Sequence, residues 1–549
     1  MKRLPLVLTF MVAMSWLVFS QVPKPEWLVT KNLPLSSQKT TFKMLIQAVP
    51  EVADFKTNWF TTWLEAKTNV AIDWIVAPND SDAAKQKMNL LIASGDFPEI
   101  INSMPFDAAL EAKYGTDEKI LLPLEKFIDD PAVMPNLNAW LRKNPSFRGQ
   151  ITAVDGHIYG FPNINVCYHC TLQQKMWINQ DWLKKVGLKM PTTTDELYNV
   201  LKAFATKDPN GNGKADEIPL IGATDGWNSQ VDPFLMSSFV LDPGMNQKLK
   251  LLVDTKSGKV MSALNQAGYK DGLKYIAKLY REKLYYGNSI IQKNDQGRQL
   301  LASGVVGAFM GGYPGVMIDG ADKALWRAFV NVPPLKSPSG YSSTPFYVND
   351  GVRPDRVLFT TALKDPKLAA RWVDLFYTYE MGLHKTNGEP VVRWHWASST
   401  ETGLDGKPAI WVPGGTAKVA DPNGSWQQQG IEFATAEFRN GQVSPPGVDI
   451  GSPDSLEPML ILASKANERA VRTDVVIMPN VSFTSQESED LQIQRVELER
   501  YAESQRIAFI TGATDVDAGW AAYLKKLGEL GLAKVTSTYQ SALDRQNKR

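Results

Sequence analysis

The chain has 549 residues, 44% of them hydrophobic and 21% charged, which is long enough for two or more lobes with cores of their own. Its 59 Lys and Arg residues nearly balance its 58 Asp and Glu residues. This near-neutrality excludes a partner held by bulk charge, so no nucleic-acid partner is expected.

The N-terminus predicts export. Lys2 and Arg3 precede an uncharged apolar run over 4–19, and Ser20 offers a small residue for cleavage before Gln21. These features indicate a secretory signal peptide over 1–20, followed by a polar linker over 21–40. A transmembrane anchor is the alternative, but the apolar run is shorter than the roughly 20 residues that span a bilayer. The signal peptide predicts a periplasmic protein. Because no cysteine lies near the cleavage site, we expect no lipid anchor through an N-terminal cysteine.

The first part of the mature chain predicts an α/β fold. Apolar, β-branched strands alternate with amphipathic helices: strand 42–49, helix 58–67, strand 71–76, helix 81–93 and a short strand near 97–101. This order with short connections predicts a parallel sheet with covering helices. Ligands bind such sheets at the carboxyl ends of the strands.

The remaining elements are mostly helical. Asp155-Gly156 predicts a hairpin turn, and Gly304 to Phe309 predicts a strand. Helices are predicted over 177–187, 195–206, 262–283, 365–379, 485–512 and 516–531. The C-terminal third is therefore expected to be a helical region.

Residues 208–217 have the ligand spacing of a calcium loop. Asp208, Asn210, Asn212 and Asp216 occupy loop positions 1, 3, 5 and 9, and Gly213 occupies position 6. Position 12 is Pro219 rather than Glu, so a further carboxylate has to come from Glu217 or from elsewhere. The alternative is a turn rich in Asn, Asp and Gly without a metal. A calcium ion with a full oxygen shell would be structural.

The two cysteines, Cys167 and Cys170, lie three residues apart in VCYHC. In an exported protein, a local disulfide or two free thiols is the favoured interpretation. A redox CxxC or half of a zinc site is the alternative, but the chain has no second CxxC and contains four His in all.

Several sequence segments resemble motifs of the extracellular solute-binding proteins of ABC transporters, family 1. The resemblance is to the branch with LplA-type and alginate-oligosaccharide-binding proteins. The segments are ASGDFPEI (93–100), DGHIYGFP (155–162), the run 178–197, the loop 208–219, and FITG (509–512) with Trp520 and Tyr523. Their order spans almost the whole mature chain.

The resemblance implies a two-lobe periplasmic-binding-protein fold (type II), each lobe a mostly parallel sheet with flanking helices, plus a helical C-terminal region. By analogy, lobe one comprises 41–163 and 305–360, and lobe two comprises 164–304 and 361–549. The family pattern also makes Asp208, Asn210, Asn212, Asp216 and Glu217 side-chain ligands of Ca²⁺, with Lys214 giving its backbone oxygen. The expected partner is an ABC permease in the inner membrane, and the expected protein is a monomer.

Aromatic side chains in loops are candidate ligand contacts. Aromatic faces stack on the C–H faces of sugar rings, and polar groups fix the hydroxyls. The candidates are Trp227, Tyr313, Trp394 and Trp396, with Arg393 able to grip a carboxylate if the ligand is a uronate. Aromatic residues more often pack in cores, so burial decides between the two roles.

Three functions fit these observations. The first is a non-enzymatic binding protein that delivers a carbohydrate, an oligosaccharide by preference, to a permease. The second is a secreted, calcium-stabilised carbohydrate-active enzyme, which would need two carboxylates across a sugar. The third is a binder of a non-sugar ligand such as a peptide.

Overall fold

The computed structural model describes residues 33–49, 52–320, 322–347, 351–414, 421–443, 451 and 455–547. The predicted signal peptide and the first part of the predicted linker lie outside these residues. No helix in the described ranges combines the length and the apolar character needed to cross a membrane.

The strands follow this order: β1 (Thr40–Gln47), β2 (Val70–Ala77), β3 (Ile100–Asn102), β4 (Gly160–Asn165), β5 (Met176–Asn179), β6 (Leu251–Asp254), β7 (Val260–Ser262), β8 (Ala308–Met310), β9 (Phe329–Val332), β10 (Val352–Phe359), β11 (Trp394–Trp396), β12 (Trp411–Pro413), β13 (Phe433–Ala434) and β14 (Val475–Ile477).

The helices follow this order: α1 (Trp59–Thr68), α2 (Ser81–Ala93), α3 (Ala108–Glu111), α4 (Glu125–Ile128), α5 (Pro135–Lys143), α6 (Ser146–Gln150), α7 (Tyr168–Thr171), α8 (Gln180–Val186), α9 (Thr194–Thr206), α10 (Asp232–Met236), α11 (Ala267–Arg281), α12 (Asn294–Ala302), α13 (Lys323–Ala328), α14 (Pro366–Asp374), α15 (Tyr379–Asn387), α16 (Ala436–Asn440), α17 (Leu456–Glu468), α18 (Ser485–Thr511), α19 (Val516–Glu529) and α20 (Leu532–Asn547).

Lobe one is built on a mixed sheet with the order β13-β4-β10-β3-β1-β2. β1 pairs parallel with β2 and β3, as the alternation of strands and helices along the sequence predicts. β10 enters from the other lobe and pairs antiparallel with both β3 and β4. The side chains of β1 alternate between the two faces: Met44 packs in the core on one face, and Leu45 packs in the core on the other.

Lobe two does not have the mostly parallel sheet expected for it. β5 pairs antiparallel with both β8 and β9, and β6 pairs antiparallel with β7 and β14. Parallel pairing in the described part of lobe two occurs only as isolated bridges, such as those from Ile218 to Val306 and from Ile221 to Phe309. The reason is the chain direction. β5 leads away from lobe one, whereas β8 and β9 lead back toward it, so their pairing with β5 is antiparallel.

The predicted lobe boundaries after residue 304 are wrong. β8 and β9 pair with β5, so the segment from 305 to 335 belongs to lobe two. Conversely, α14, α15 and the side chains of Trp394, Trp426 and Phe438 pack in the core of lobe one, and Phe433 pairs with Ile164 of β4. The chain returns to lobe one at β10 and leaves it after α16, about 80 residues later than the sequence predicts.

The helix predicted over 177–187 is shorter in the structure. Residues 176–179 are the fully buried strand β5, and α8 begins at Gln180. The Asn179 side chain accepts hydrogen bonds from the backbone N–H groups of Asp181 and Trp182, which caps the helix at this point. Gly187, with φ of 72°, ends it as predicted.

The helical C-terminal region is confirmed. α18 starts in a capping box formed by Thr484 and Glu487 and ends at Gly512 in the left-handed conformation. α18 to α20 pack in the core of lobe two, where Tyr523 is 2% exposed. α18 also reaches lobe one, where Ser485 donates a hydrogen bond to Asp117 (2.9 Å).

Candidate functional site

The strand directions place one edge of each sheet against the other. β4 runs antiparallel to β10, so the end of β4 and the start of β10 share an edge of lobe one. β5 runs antiparallel to β8 and β9, so its start shares an edge of lobe two with their ends. Residues 166–175 join β4 to β5, and residues 333–351 join β9 to β10. Both connections tie these two edges together, and the cleft between the lobes lies there.

Two predicted ligand residues meet at the lobe-two edge. Trp227 follows the bridge from Ile221 to Phe309, and Tyr313 follows β8, so both loops leave the sheet at the same edge. The two rings are half-buried, tilted by 48° and 6.2 Å apart between centroids. We call Trp227 and Tyr313 the aromatic platform.

Local packing holds the Trp227 indole in place. Its Nε1 donates a hydrogen bond to Oε1 of Gln173 (2.6 Å), and its backbone oxygen accepts one from the Gly312 N–H (2.7 Å). A Cβ on Gly312 would lie 2.3 Å from the indole ring, so the close contact requires glycine at this position. These contacts fix the orientation of the indole within the aromatic platform.

A polar group lies where the chain crosses between the lobes. Arg439 of lobe one donates hydrogen bonds to Oδ1 of Asn165 from Nε (3.0 Å) and Nη2 (2.6 Å). Its guanidinium also lies 3.6 Å from Glu432 of lobe one and 3.7 Å from Glu457 of lobe two. We call Asn165, Glu432, Arg439 and Glu457 the crossover cluster.

His169 connects the crossover cluster to the aromatic platform. Its Nε2 lies 3.6 Å from Glu457, and its ring lies 6.3 Å from that of Trp227 in an edge-on arrangement. Burial, together with the charges of Lys175 and Arg439, lowers the pKa of His169 to about 2. The imidazole is therefore neutral in the folded protein.

Lys175 is fully buried beneath this region. Its Nζ donates hydrogen bonds to the backbone oxygens of Leu172 (2.6 Å) and His169 (3.3 Å). Burial lowers the pKa of Lys175 to about 7, although the charge of Glu457 opposes this shift. Cys167 and Cys170 form a disulfide in the same segment, in line with the favoured interpretation of that pair.

The other predicted ligand residues lie together in lobe one. Trp394 is 1% exposed, and its Nε1 donates to the backbone oxygen of Gly388 (2.9 Å), so it is a core residue and not a ligand contact. Trp396 is half-buried and packs edge-on against Trp394 (5.0 Å between centroids). Arg393 is half-buried in the turn that precedes β11.

The loop over 208–217 folds around its own side chains. Asp208 accepts hydrogen bonds from the N–H groups of Gly211, Asn212 and Gly213 (2.9 to 3.1 Å). Asn210 and Asn212 each donate to the Asp216 carboxylate (3.1 to 3.2 Å). Their side chains therefore point into the same loop interior, as the alternate spacing predicts.

Glu217 supplies the observation that tests the fit of this loop to a cation. Its Oε1 is buried and has no hydrogen-bond partner among the described residues. Burial raises the pKa of Glu217, and the charges of Asp208 and Asp216 raise it further. A divalent cation would satisfy the orphaned oxygen and relieve the repulsion among the three carboxylates, so these residues fit Ca²⁺.

Residues 37–382 match the family model described as bacterial extracellular solute-binding protein. The match covers more than half of the chain. The chain belongs to the bacterial extracellular solute-binding protein family.

This solute-binding protein is 33% identical over 362 residues to the fructooligosaccharide ABC transporter substrate-binding protein FusA of Streptococcus pneumoniae serotype 4. The alignment covers 63% of this chain and 62% of FusA, so it spans less than two thirds of that relative's length.

Solved structures share the two-lobe fold. The FusA EF-hand mutant in complex with fructo-nystose has a TM-score of 0.78 at 24% identity, covering 93% of this chain and 100% of that one. The alginate-binding protein AlgQ2 without calcium ion has a TM-score of 0.69 at 22% identity, covering 93% and 99%.

Sequence reasoning did not find the crossover cluster of this solute-binding protein. Asn165, Glu432 and Glu457 are far apart in the chain and carry no motif. Gln173, which holds Trp227, was also missed. One sequence signal could have indicated the cluster, namely charged residues next to the segments where the chain passes from one lobe to the other.

Proposed function

We propose that this protein binds an oligosaccharide between its two lobes and delivers it to an ABC permease, without acting as an enzyme. The similarity to FusA, a fructooligosaccharide substrate-binding protein, supports a carbohydrate ligand. The structural likeness to FusA with fructo-nystose supports a cleft of suitable shape.

The aromatic platform carries this proposal. Trp227 and Tyr313 present two half-buried rings at the lobe-two edge of the cleft, and Gln173 fixes the indole. Aromatic faces of this kind cover the apolar face of a sugar ring, while neighbouring polar groups bind its hydroxyls. Trp396 and Arg393 are proposed as ligand contacts on the lobe-one side, whereas Trp394 is a core residue and is not proposed as one.

We place the protein in the periplasm, exported by the signal peptide over 1–20. A solute-binding protein of an importer works outside the cytoplasmic membrane, where it meets its ligand before the permease does. The hydrophobic run over 4–19, after Lys2 and Arg3, supports this location. The working form is proposed to be a monomer whose lobes close around the ligand.

We also propose a structural Ca²⁺ in the loop over 208–217. Asp208, Asn210, Asn212, Asp216 and Glu217 would give side-chain oxygens, and Lys214 its backbone oxygen. The orphaned oxygen of Glu217 supports this assignment. The loop lies between α9 and the bridge from Ile218 to Val306, so the ion would fasten two elements of lobe two.

The test is a fluorescence titration of the wild-type protein and Trp227→Ala against kestose, a galacturonate trisaccharide and a peptide mixture. We expect saturable binding of a sugar by the wild type. Loss of one stacked ring is expected to weaken affinity by roughly 3- to 10-fold, the equivalent of about 0.5–1.5 kcal/mol.

Trp520→Ala is the matched control, because Trp520 is half-buried in α19, away from the cleft edges. Its affinity should equal that of the wild type. A response to peptides alone would overturn the carbohydrate assignment, and equal affinities of Trp227→Ala and the wild type would remove Trp227 from the site.

A further inference from the structure

The crossover cluster has an unusual hydrogen-bonding state. Arg439 makes direct hydrogen bonds to Asn165, but its contacts to Glu432 (3.6 Å) and Glu457 (3.7 Å) are longer than a hydrogen bond. The side chains of Glu432 and Arg439 are 27% and 21% exposed. Arg439 therefore forms ion pairs but no hydrogen bonds with the two carboxylates, so part of the hydrogen-bonding capacity of this partly exposed group is open to a ligand.

The cluster lies within reach of a ligand on the aromatic platform. Glu457 lies 3.6 Å from His169, and the His169 ring lies 6.3 Å from that of Trp227. A short chain of contacts thus runs from the stacking surface of lobe two to Arg439 of lobe one. An oligosaccharide of a few rings is long enough to touch both.

The two carboxylates nearest to Arg439 disfavour a ligand carboxylate at its guanidinium. Glu432 and Glu457 both lie within 4 Å of Arg439, so a ligand carboxylate there would meet two like charges. The neighbouring cations direct their N–H groups elsewhere: Lys175 to His169 and Leu172 oxygens, Lys385 to the Gln427 oxygen, and Arg356 to the Gly430 and Gln428 oxygens.

A hydroxyl group matches this arrangement. It accepts a hydrogen bond from a guanidinium and donates one to a carboxylate at the same time. Adjacent hydroxyls on a sugar ring would use the pair of Arg439 and Glu432, with Asn165 holding the guanidinium in orientation.

We propose that Glu432 and Arg439, oriented by Asn165, form the hydroxyl-recognising floor of the cleft and select a neutral sugar. This inference rests on the proposed carbohydrate-binding function. Because Arg439 also faces Glu457 of lobe two, the ligand would bind where the two lobes meet.

The experiment compares wild-type protein, Glu432→Gln and Arg439→Lys by calorimetric titration with kestose, a neutral trisaccharide, and with a galacturonate trisaccharide. We expect each variant to bind kestose about tenfold more weakly or worse, since each loses a charge-assisted hydrogen bond. Melting temperatures without ligand show whether each variant folds. Wild-type protein should prefer kestose to the uronate.

Asp129→Asn is the matched control, because Asp129 pairs with Arg148 through two hydrogen bonds (2.7 and 2.8 Å) elsewhere in lobe one. Its affinity for kestose should not change. If wild-type protein binds kestose and the folded Glu432→Gln and Arg439→Lys variants bind it equally well, this inference is wrong while the proposed function stands. Tighter binding of the uronate would also overturn it. Wild-type protein that binds neither kestose nor any other oligosaccharide would overturn the proposed function itself.

Discussion

Glu111 and Asp355 are two buried carboxyl groups of lobe one whose negative charges would repel each other. Asp355 lies in a bulge of β10, where the register shifts between Arg353 and Val357, and has a φ of 62°. Its Oδ1 is buried without a hydrogen-bond partner among the residues described. Gly160 admits this bulge, since a Cβ there would lie 2.4 Å from the Asp355 backbone. A non-glycine residue in this conformation costs energy that the surrounding packing has to offset.

The protonation of Glu111 follows from its surroundings. Burial raises the pKa of Glu111 to about 9, with further contributions from the charges of Asp355 and Asp155. Burial also raises the pKa of Asp355 to about 7, and the charge of Asp107 adds to the shift. Glu111 therefore holds a proton at neutral pH in the folded protein, whereas the unfolded chain has lost it.

This difference makes stability depend on pH. In the folded protein the pKa of Glu111 is raised above its ordinary value of 4.5. The contribution of Glu111 to the free energy of unfolding is therefore fully present below pH 4.5 and is lost as pH rises toward about 9. Glu111→Gln is neutral at every pH. Its melting temperature should match that of the wild type near pH 5 and exceed it by a growing margin toward pH 9.

Thermal melts across this range check the prediction. Glu118→Gln, at an exposed glutamate of the same segment, is the control and should follow the wild type throughout. Parallel profiles of wild type and Glu111→Gln would show that Glu111 does not carry the proton.

The loop over 208–217 connects α9 to the lobe-two sheet. α9 ends at Thr206, and the N–H of Ile218 donates to the Val305 oxygen (2.7 Å) immediately after the loop. Between these points, the loop is closed mainly by hydrogen bonds to Asp208 and Asp216. An ion among the carboxylates would stabilise the folded state of both elements.

Calcium removal should lower the melting temperature and leave sugar binding in place. Binding to the folded state alone stabilises it by about 2.7 kcal/mol when free calcium is 100 times its dissociation constant. The measurement is a thermal melt with and without a chelator. Glu217→Gln and Asp208→Ala should abolish the response.

Asp254→Asn is the matched control. Asp254 closes an exposed turn by accepting backbone hydrogen bonds from Lys256 and Ser257, without other carboxylates in that turn. This variant should keep the full response to the chelator. A wild-type protein whose melting temperature ignores the chelator would show that no ion stabilises the loop.

Local patterns predicted the first elements of the fold closely. Strands and helices from β1 to α2 begin and end within a few residues of the predicted bounds, because alternating and helical periodicities are strong there. β5 was missed, because four buried residues that run directly into α8 have no break between strand and helix. The lobe of β8 and β9 could not be read from local pattern, since pairing with β5 is a long-range contact.

The site shows the same division. The ligand spacing of the loop over 208–217 is local in sequence, and Asn210 and Asn212 donate hydrogen bonds to the Asp216 carboxylate within that loop. Trp227 and Trp394 both occupy loop-like sequence, yet one is half-buried at the cleft edge and the other is 1% exposed in the core. Sequence cannot separate them, because burial depends on which distant segments cover each ring.

At the scale of the whole molecule, the lobes are joined at one side and touch at another. Residues 166–175 and 333–351 connect the facing sheet edges, and Arg439 meets Glu457 across the lobes. Further along, Ser485 of α18 contacts Asp117 of lobe one. This arrangement suits rotation of two rigid lobes about the connecting segments. A ligand that contacts both lobes would favour the closed arrangement by its differential affinity for that state.

The proposed function requires the molecule to bind an oligosaccharide and to release it unchanged. Isothermal titration of the purified protein with kestose and other neutral oligosaccharides, followed by chromatography of the recovered sugar, tests it most directly. We expect saturable one-to-one binding and recovery of intact sugar. Absence of binding to every oligosaccharide, or recovery of shorter products, would contradict it.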